Sequence, residues 1–337
     1  MDADSGSSCR GTMKCYRRRV LLATAGGMAL DALAQSKAKK YRIGLLEMPQ
    51  DPRAPNQIAF WEELRSRGYV EGQNLVVERR NAGDRPDLLP ALARELVALR
   101  PDLIVAVQQR ASRAAKDATP TIPIVIIGVS DPVGMGLVAS LARPGGNLTG
   151  LTVLVPGHVA SKNLQLLHDM VPSAKRIAVL VNPTNEMHRI VQQEALQAAP
   201  QLGLQVQVQQ ARTADDIEPA LQAAVANRAE ALMVVADSLF NNPPARLPEL
   251  IARIGLPAIY LLRTNVEAGG LISSGPDFID LSRRLADYVD RILKGANPGE
   301  LPIEQPTKFQ VVINRKTAKS LGLTIPQSLL VSAEIVD

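Results

Sequence analysis

Polar and charged residues gather where the apolar runs of this chain end. Glu47 closes the run "RIGLLEM", Gln108, Gln109 and Arg110 follow "DLIVAV", and Ser130 and Asp131 follow "IPIVIIGV". Further on, Asn182 and Asn185 frame "NPTN", Asp237 and Ser238 follow "ALMVVA", Arg263 ends "AIYLLR" and Ser274 lies in "LISSG". These residue types offer recognition chemistry. A guanidinium pairs a carboxylate, amides and hydroxyls clamp polar groups, and a carboxylate takes an ammonium. Each has a structural alternative: Asn182 and Asn185 suit a turn and a helix cap, Asp237 suits a cap, and Arg263 suits solvent.

Bond-making chemistry has little to work with. Cys9 and Cys15 both precede an apolar run near the start of the chain, so the segment after that run holds no thiol. His158, His168 and His188 show no metal-ligand spacing such as H-E-x-x-H, and no G-x-S-x-G elbow is present. His158 lies near a crossing between the two halves of the chain, and His168 and His188 fall at polar helix positions expected to be exposed. No catalytic residue, metal site or cofactor is expected, although carboxylates meeting across a cleft would leave no motif.

The stretch "SDPVGMGLVASLARPGGNLTGL" (130–151) raises the question of phosphate binding, since it holds five glycines. A phosphate loop needs lysine and then Ser or Thr after its last glycine, and a dinucleotide loop needs G-x-G-x-x-G after a first strand. Neither is present. Asp131 before Pro132 predicts a capped helix start instead. That helix would bury Val133, Leu137, Val138 and Leu141, and "RPGGN" would end it.

These residues must be positioned by elements, and the pattern of runs predicts which. With 337 residues, 46% hydrophobic, one large or two ordinary domains with real cores are expected. Strands are predicted at 42–48, 74–79, 102–107, 122–129 and 147–153. A second series falls at 176–182, 204–210, 231–237, 257–262 and 271–275. Helices are predicted between them, including those near 185–202, 214–227, 244–254 and 278–294. This alternation is that of parallel sheets covered by helices, in two similar α/β units. Their ligand site should lie between the units, at the carboxyl ends of the strands. "TVLVPGHVAS" (152–161) reads as the first crossing, and Trp61 reads as core.

The first 34 residues carry "KCYRRR", an apolar run and the small-x-small triplet Ala32, Leu33, Ala34, which reads as an export signal cleaved near Ala34. Arg17 and Arg18 fit a twin-arginine pattern as well as an ordinary basic start. Met13 heads a more conventional signal than Met1. Without this segment the 38 basic and 33 acidic residues fall to 33 and 30, and only 3% of the chain is aromatic, so nucleic acid is not an expected partner. No later run reaches the length of a membrane span, and the mature chain is expected in the periplasm.

The stretch 130–151 also carries a family resemblance, together with "GYVEGQNLVVERRNA", "TIPIVII" and the segment from Val266 through Leu330 that holds "GGLISSGPDFIDLSRRLADYVDRILKG" and "KFQVVINRKTAKSLGLTIPQSLL". The chain resembles, from about Tyr41 to its end, the ABC-transporter substrate-binding proteins that include tryptophan- and phenylalanine-binding members. The resemblance implies a type I periplasmic binding protein: two Rossmann-like lobes with parallel sheets, joined by three crossings and closing on a small molecule. It implies an N-terminal lobe of 41–153 plus about 271–303, and a C-terminal lobe of about 156–268 plus 306–337. It implies a monomer that delivers an amino acid or related organic acid to a membrane permease and its ATPase. A sensor for a membrane receptor, or an enzyme on the same scaffold, are the alternatives. Where relatives often carry glycine and then Ser or Thr, this chain has Gln108, Gln109 and Arg110, and Ser274 stands where many show tyrosine. The first difference offers a ligand carboxylate side chains in place of bare backbone N–H groups and fills more space, so the ligand is expected to differ accordingly. The second removes an aromatic wall and adds a hydroxyl, which counts against an aromatic amino acid.

Overall fold

The computed structural model describes residues 39–83, 85–153, 159–241, 243 and 245–337. The expected export signal, half of the first crossing (154–158) and with it His158 lie outside the described residues.

The first lobe is built on β1 (Tyr41–Glu47), β2 (Leu75–Asn81), β3 (Leu103–Val107), β4 (Ile124–Val129) and β5 (Leu148–Thr152). They form one sheet in the order β2-β1-β3-β4-β5, with every neighbouring pair parallel. Helices α1 (Pro55–Ser66), α2 (Leu89–Ala98) and α3 (Gln109–Ala118) connect them. Cover on both faces is why β3 reads "LIVAV" without alternation: Leu103, Ile104, Val105 and Ala106 are all buried.

The second lobe follows the same rhythm with α4 (Val159–Met170), β6 (Arg176–Val181), α5 (Glu186–Ala198), β7 (Gln205–Gln210), α6 (Ile217–Ala226) and β8 (Ala231–Val234). Next come α7 (Ser238–Asn241), α8 (Arg246–Ile254), β9 (Ala258–Tyr260), α9 (Arg263–Glu267) and β10 (Ile272–Pro276). Helix α10 (Phe278–Leu293) then returns to the first lobe. There Leu281, Leu285, Tyr288, Val289 and Ile292 join a core with Ile43, Phe60, Val105 and Val125. The chain ends in the second lobe with β11 (Phe309–Asn314), α11 (Arg315–Ser320), α12 (Gln327–Ser332) and β12 (Glu334–Val336). The second sheet runs β12-β11-β10-β9-β8-β6-β7, parallel except for the antiparallel pair β10 and β11.

Strand β10 therefore lies in the second sheet, in line with its place in the second series of runs, whereas the family resemblance placed about 271–303 with the first lobe. Ile272 and Ser273 pair with Ile259 and Tyr260, and the chain changes lobe only at Asp277. Asp277 caps α10, its Oδ1 accepting from Ile279 N and Asp280 N, each at 3.0 Å. The last crossing is tied to β5: Thr152 N donates to Glu304 O at 2.9 Å, and Glu304 N donates to Gly150 O at 3.1 Å. Gly150 has φ 137°, and a Cβ there would lie 2.2 Å from Ile126 O, so only glycine fits.

The helix expected from Asp131 does not form. Residues 132–136 are turns, in which Leu137 N reaches back to Pro132 O and Gly136 sits at φ 66°. A left-handed residue at 136 breaks the helical ladder before its second turn. Leu137 and Val138 are buried as expected, but Val133 is 40% exposed.

Candidate ligand-binding site

A cavity of ≈ 1060 Å³ lies between the lobes, walled by residues that follow strand ends in both. That is at the upper end of small-molecule sites. Eight of the twelve residues singled out from the sequence line it: Gln108, Gln109, Arg110, Ser130, Asn185, Asp237, Ser238 and Arg263. Glu47, Asp131, Asn182 and Ser274 do not.

The four outside the wall have other work. Burial pushes the Glu47 carboxyl up, against the opposing effects of Arg79 and Asn81. Asp131 Oδ1 accepts from Gly134 N at 2.8 Å, so it ties the turn that replaced the expected helix. Asn182 is buried behind the cavity. Ser274 is one residue out of register: alternation along β10 sends Ser273 and Gly275 to the cavity and Ser274 to the other face.

On the second lobe a hydrogen-bonded cluster fixes the carboxylate of Asp237. Asn182 Nδ2 donates to Oδ1 at 3.2 Å, Asn185 Nδ2 donates to Oδ2 at 2.8 Å, and Leu239 N donates to Oδ1 at 3.0 Å. Asn185 also caps α5, accepting from Met187 N. Asn185 and Asp237 thus combine structural bonding with a place in the cavity wall, while Asn182 is structural alone. His188 completes it and corrects the expectation of an exposed histidine: it is 2% exposed. Its Nδ1 accepts from Asn182 N at 2.8 Å, which leaves its proton on Nε2, 3.1 Å from Ala236 O and 3.4 Å from Asp237 Oδ2. Burial holds the imidazole below its usual pKa, with Asp237 opposing and Arg110 adding to the shift. His168 is likewise half-buried rather than exposed.

On the first lobe, Gln108, Gln109 and Arg110 open α3. Arg110 crosses the cleft: its Nη2 donates to Thr184 O at 3.2 Å and to Thr184 Oγ1 at 3.1 Å. Thr184 is held in turn by Asn182 Oδ1, which accepts from its N and Oγ1 at 3.0 and 2.8 Å. Arg110 has no carboxylate partner among the described residues, whereas Arg263 is saturated. Arg263 grips Glu334 through two bonds of 2.6 and 2.7 Å and Glu267 at 2.6 Å, which pins β12 to α9. The charge expected to pair a ligand at 263 is thus spent on the chain's own carboxylates.

Sequence reasoning missed Thr184, Ser273 and the cavity-facing role of Trp61. Trp61 packs edge-on to Phe60 with centroids 4.8 Å apart, carries the Arg79 guanidinium 5.0 Å above its ring, and still lines the cavity. Its place one residue from buried Phe60 on α1 hides that role in the pattern. The arrangement as a whole can hold a small polar molecule between a cation on one lobe and a carboxylate on the other.

Comparison with known proteins agrees with this geometry. The chain is 27% identical over 287 residues, 85% of this chain and 82% of the other, to a tyrosine-binding protein of Clostridioides difficile (strain R20291). An ABC domain in complex with L-Trp from Streptococcus pneumonia is 25% identical, covering 88% of this chain and all of that one, with a TM-score of 0.81. The ligand-free, open structure of a substrate-binding protein with adhesive properties from Clostridium difficile is also 25% identical, covering 88% and 99%, with a TM-score of 0.66. The profile of the ABC transporter substrate binding protein family matches residues 52–336. With two α/β lobes, a cleft lined from both, and this match over most of its length, the chain belongs to the ABC transporter substrate-binding proteins, a family of binders rather than enzymes.

Proposed function

We propose that this chain is the solute-binding component of an ABC importer and that it takes an amino acid, or a related small organic acid, in the cleft between its lobes. One observation carries the reading. Among the described residues Arg110 stands in the cleft with only the neutral oxygens of Thr184 as hydrogen-bond partners, facing a lobe whose cleft wall holds the fixed carboxylate of Asp237. A ligand carboxylate meets the guanidinium and the first N–H groups of α3, and a ligand ammonium meets Asp237. The relatives that hold L-Trp or are named for tyrosine support an amino-acid ligand. The lobe arrangement supports closure: at equal identity and equal cover of this chain, the likeness to the ligand-holding structure exceeds that to the open, ligand-free one.

In this reading the export signal at 1–34 sends the protein to the periplasm. A monomer closes on its ligand, and the closed form docks on a permease whose ATPase supplies the energy. Among the described residues no helix is long and apolar enough to cross a membrane. Thermal melts against the twenty amino acids and a set of small organic acids test the reading. A ligand present at 100 times its Kd stabilises the protein by about 2.7 kcal/mol. A set in which no member raises the melting temperature rejects the proposal.

A further inference from the structure

We propose that Gln108 determines specificity in this cleft, selecting an amino acid whose side chain carries an amide or hydroxyl over one with an apolar or aromatic side chain. The inference rests on the amino-acid reading above.

The first observation is conformational. Gln108 has φ 73° and ψ 164°, a region that glycine populates and residues with a Cβ avoid. Its surroundings impose this geometry. Gln108 N donates to Ile127 O at 2.7 Å, and its carbonyl accepts from Ser112 N at 3.0 Å and from Ser112 Oγ at 2.8 Å. Gly128 on the neighbouring strand makes room: a Cβ there would lie 3.0 Å from Gln108 N and 3.1 Å from its Cα. A strained residue, held on both sides and standing in a cavity wall, points to a use for its side chain that glycine would not supply.

The second observation concerns that side chain. The Gln108 amide makes no hydrogen bond to another described residue, and it lines the cavity. Nor is it alone. The side chains of Gln109, Asn241 and Ser273 also line the cavity without a hydrogen-bond partner among the described residues. Amides and a hydroxyl left over after the protein's own bonding match a ligand that both donates and accepts. A ring or an alkyl chain seated against them would strip their water and return nothing, which is how a polar site rejects an apolar analogue. Phe60 and Trp61 on α1 supply the apolar wall that a methylene stem needs.

The test is calorimetric titration of wild type and Gln108→Gly with L-glutamine, L-serine, L-phenylalanine and L-tryptophan, with thermal melts of both proteins. Wild type is expected to bind glutamine or serine at least tenfold more tightly than either aromatic amino acid. Gln108→Gly is expected to shrink that ratio tenfold while melting about 2 °C higher, because glycine relieves the strained backbone. A merely structural role would not move affinity ratio and stability in these opposite senses. Wild type that binds phenylalanine or tryptophan as tightly as glutamine and serine overturns the proposal, as does a variant with an unchanged ratio or a lower melting temperature. Wild type that binds aromatic amino acids alone leaves the amino-acid reading standing and overturns only this one. Wild type that binds a small organic acid but no amino acid overturns only this one, and wild type that binds neither overturns both.

Discussion

Arg110 of the first lobe and Thr184 of the second are joined across the cleft by two hydrogen bonds from a single guanidinium nitrogen, at 3.2 and 3.1 Å. The contact ties the approach of the lobes to the residue proposed to meet the ligand. Arg110→Ala should therefore weaken ligand binding at least tenfold and shift the free protein toward an open form. Titration and small-angle scattering with and without ligand measure the two effects. Thr184→Val, which keeps the backbone acceptor, should cost less than Arg110→Ala in both.

Asp237 is the counterpart on the second lobe. Wild type should prefer an amino acid to the 2-hydroxy acid of the same side chain, since only the former brings an ammonium to the carboxylate. Asp237→Asn should abolish that preference. The same change sets an amide against the donors of Asn182 and Asn185, so about 1–3 kcal/mol of stability should go with it. Competition titrations with the matched pair of acids read the first effect, and denaturant melts read the second.

His188 makes the stability of the second lobe depend on pH in a stated sense. Its pKa is depressed in the folded protein, mainly by burial, so the unfolded chain takes up its proton first. Above about pH 6.5 both states are neutral at this site and the stability is whole. As pH falls below that value, stability should decline until the folded imidazole is itself protonated. Replacing His188 by Gln should flatten this part of the curve. Melting temperatures taken between pH 8 and pH 5 for both proteins would show it.

Asp131 is predicted to be structural. Its bond to Gly134 N ties a turn and leaves its carboxylate outside the cavity wall. Asp131→Ala should cost about 1 kcal/mol of stability, comparable to a lost cap, with ligand affinity within twofold of wild type. A large loss of affinity with unchanged stability would reverse the assignment.

Much of the fold was legible because buried parallel strands are apolar along their whole length, and β3, β4, β6 and β8 stand out for that reason. Helices with clear caps, such as α10 behind Asp277, were legible as well. The segment after Asp131 was not, because a good capping residue says nothing about the left-handed turn at Gly136 five residues later. Ser273 was missed by one position, which on a strand is the difference between two faces. His188 looked exposed because its partners, the Asn182 N–H and the Ala236 carbonyl, belong to the backbone of distant segments and leave no mark in composition. The choice of strand ends brought eight of the twelve residues to the cavity wall for a topological reason, and it singled out Gln108 and Arg110 without revealing the strain at one or the reach of the other. Whether Arg263 was free or taken depended on Glu334, 71 residues away.

The second and third crossings between the lobes run side by side. Pro276 and Phe309 are partners in the second sheet, while one residue beyond each, Asp277 N donates to Lys308 O at 2.9 Å and Lys308 Nζ meets Asp280 on α10. The two connections are thus bolted together on either side of the boundary between lobes, like two leaves on one pin. Coupled in this way, the two connections favour a shared hinge rotation over independent sliding when the lobes move.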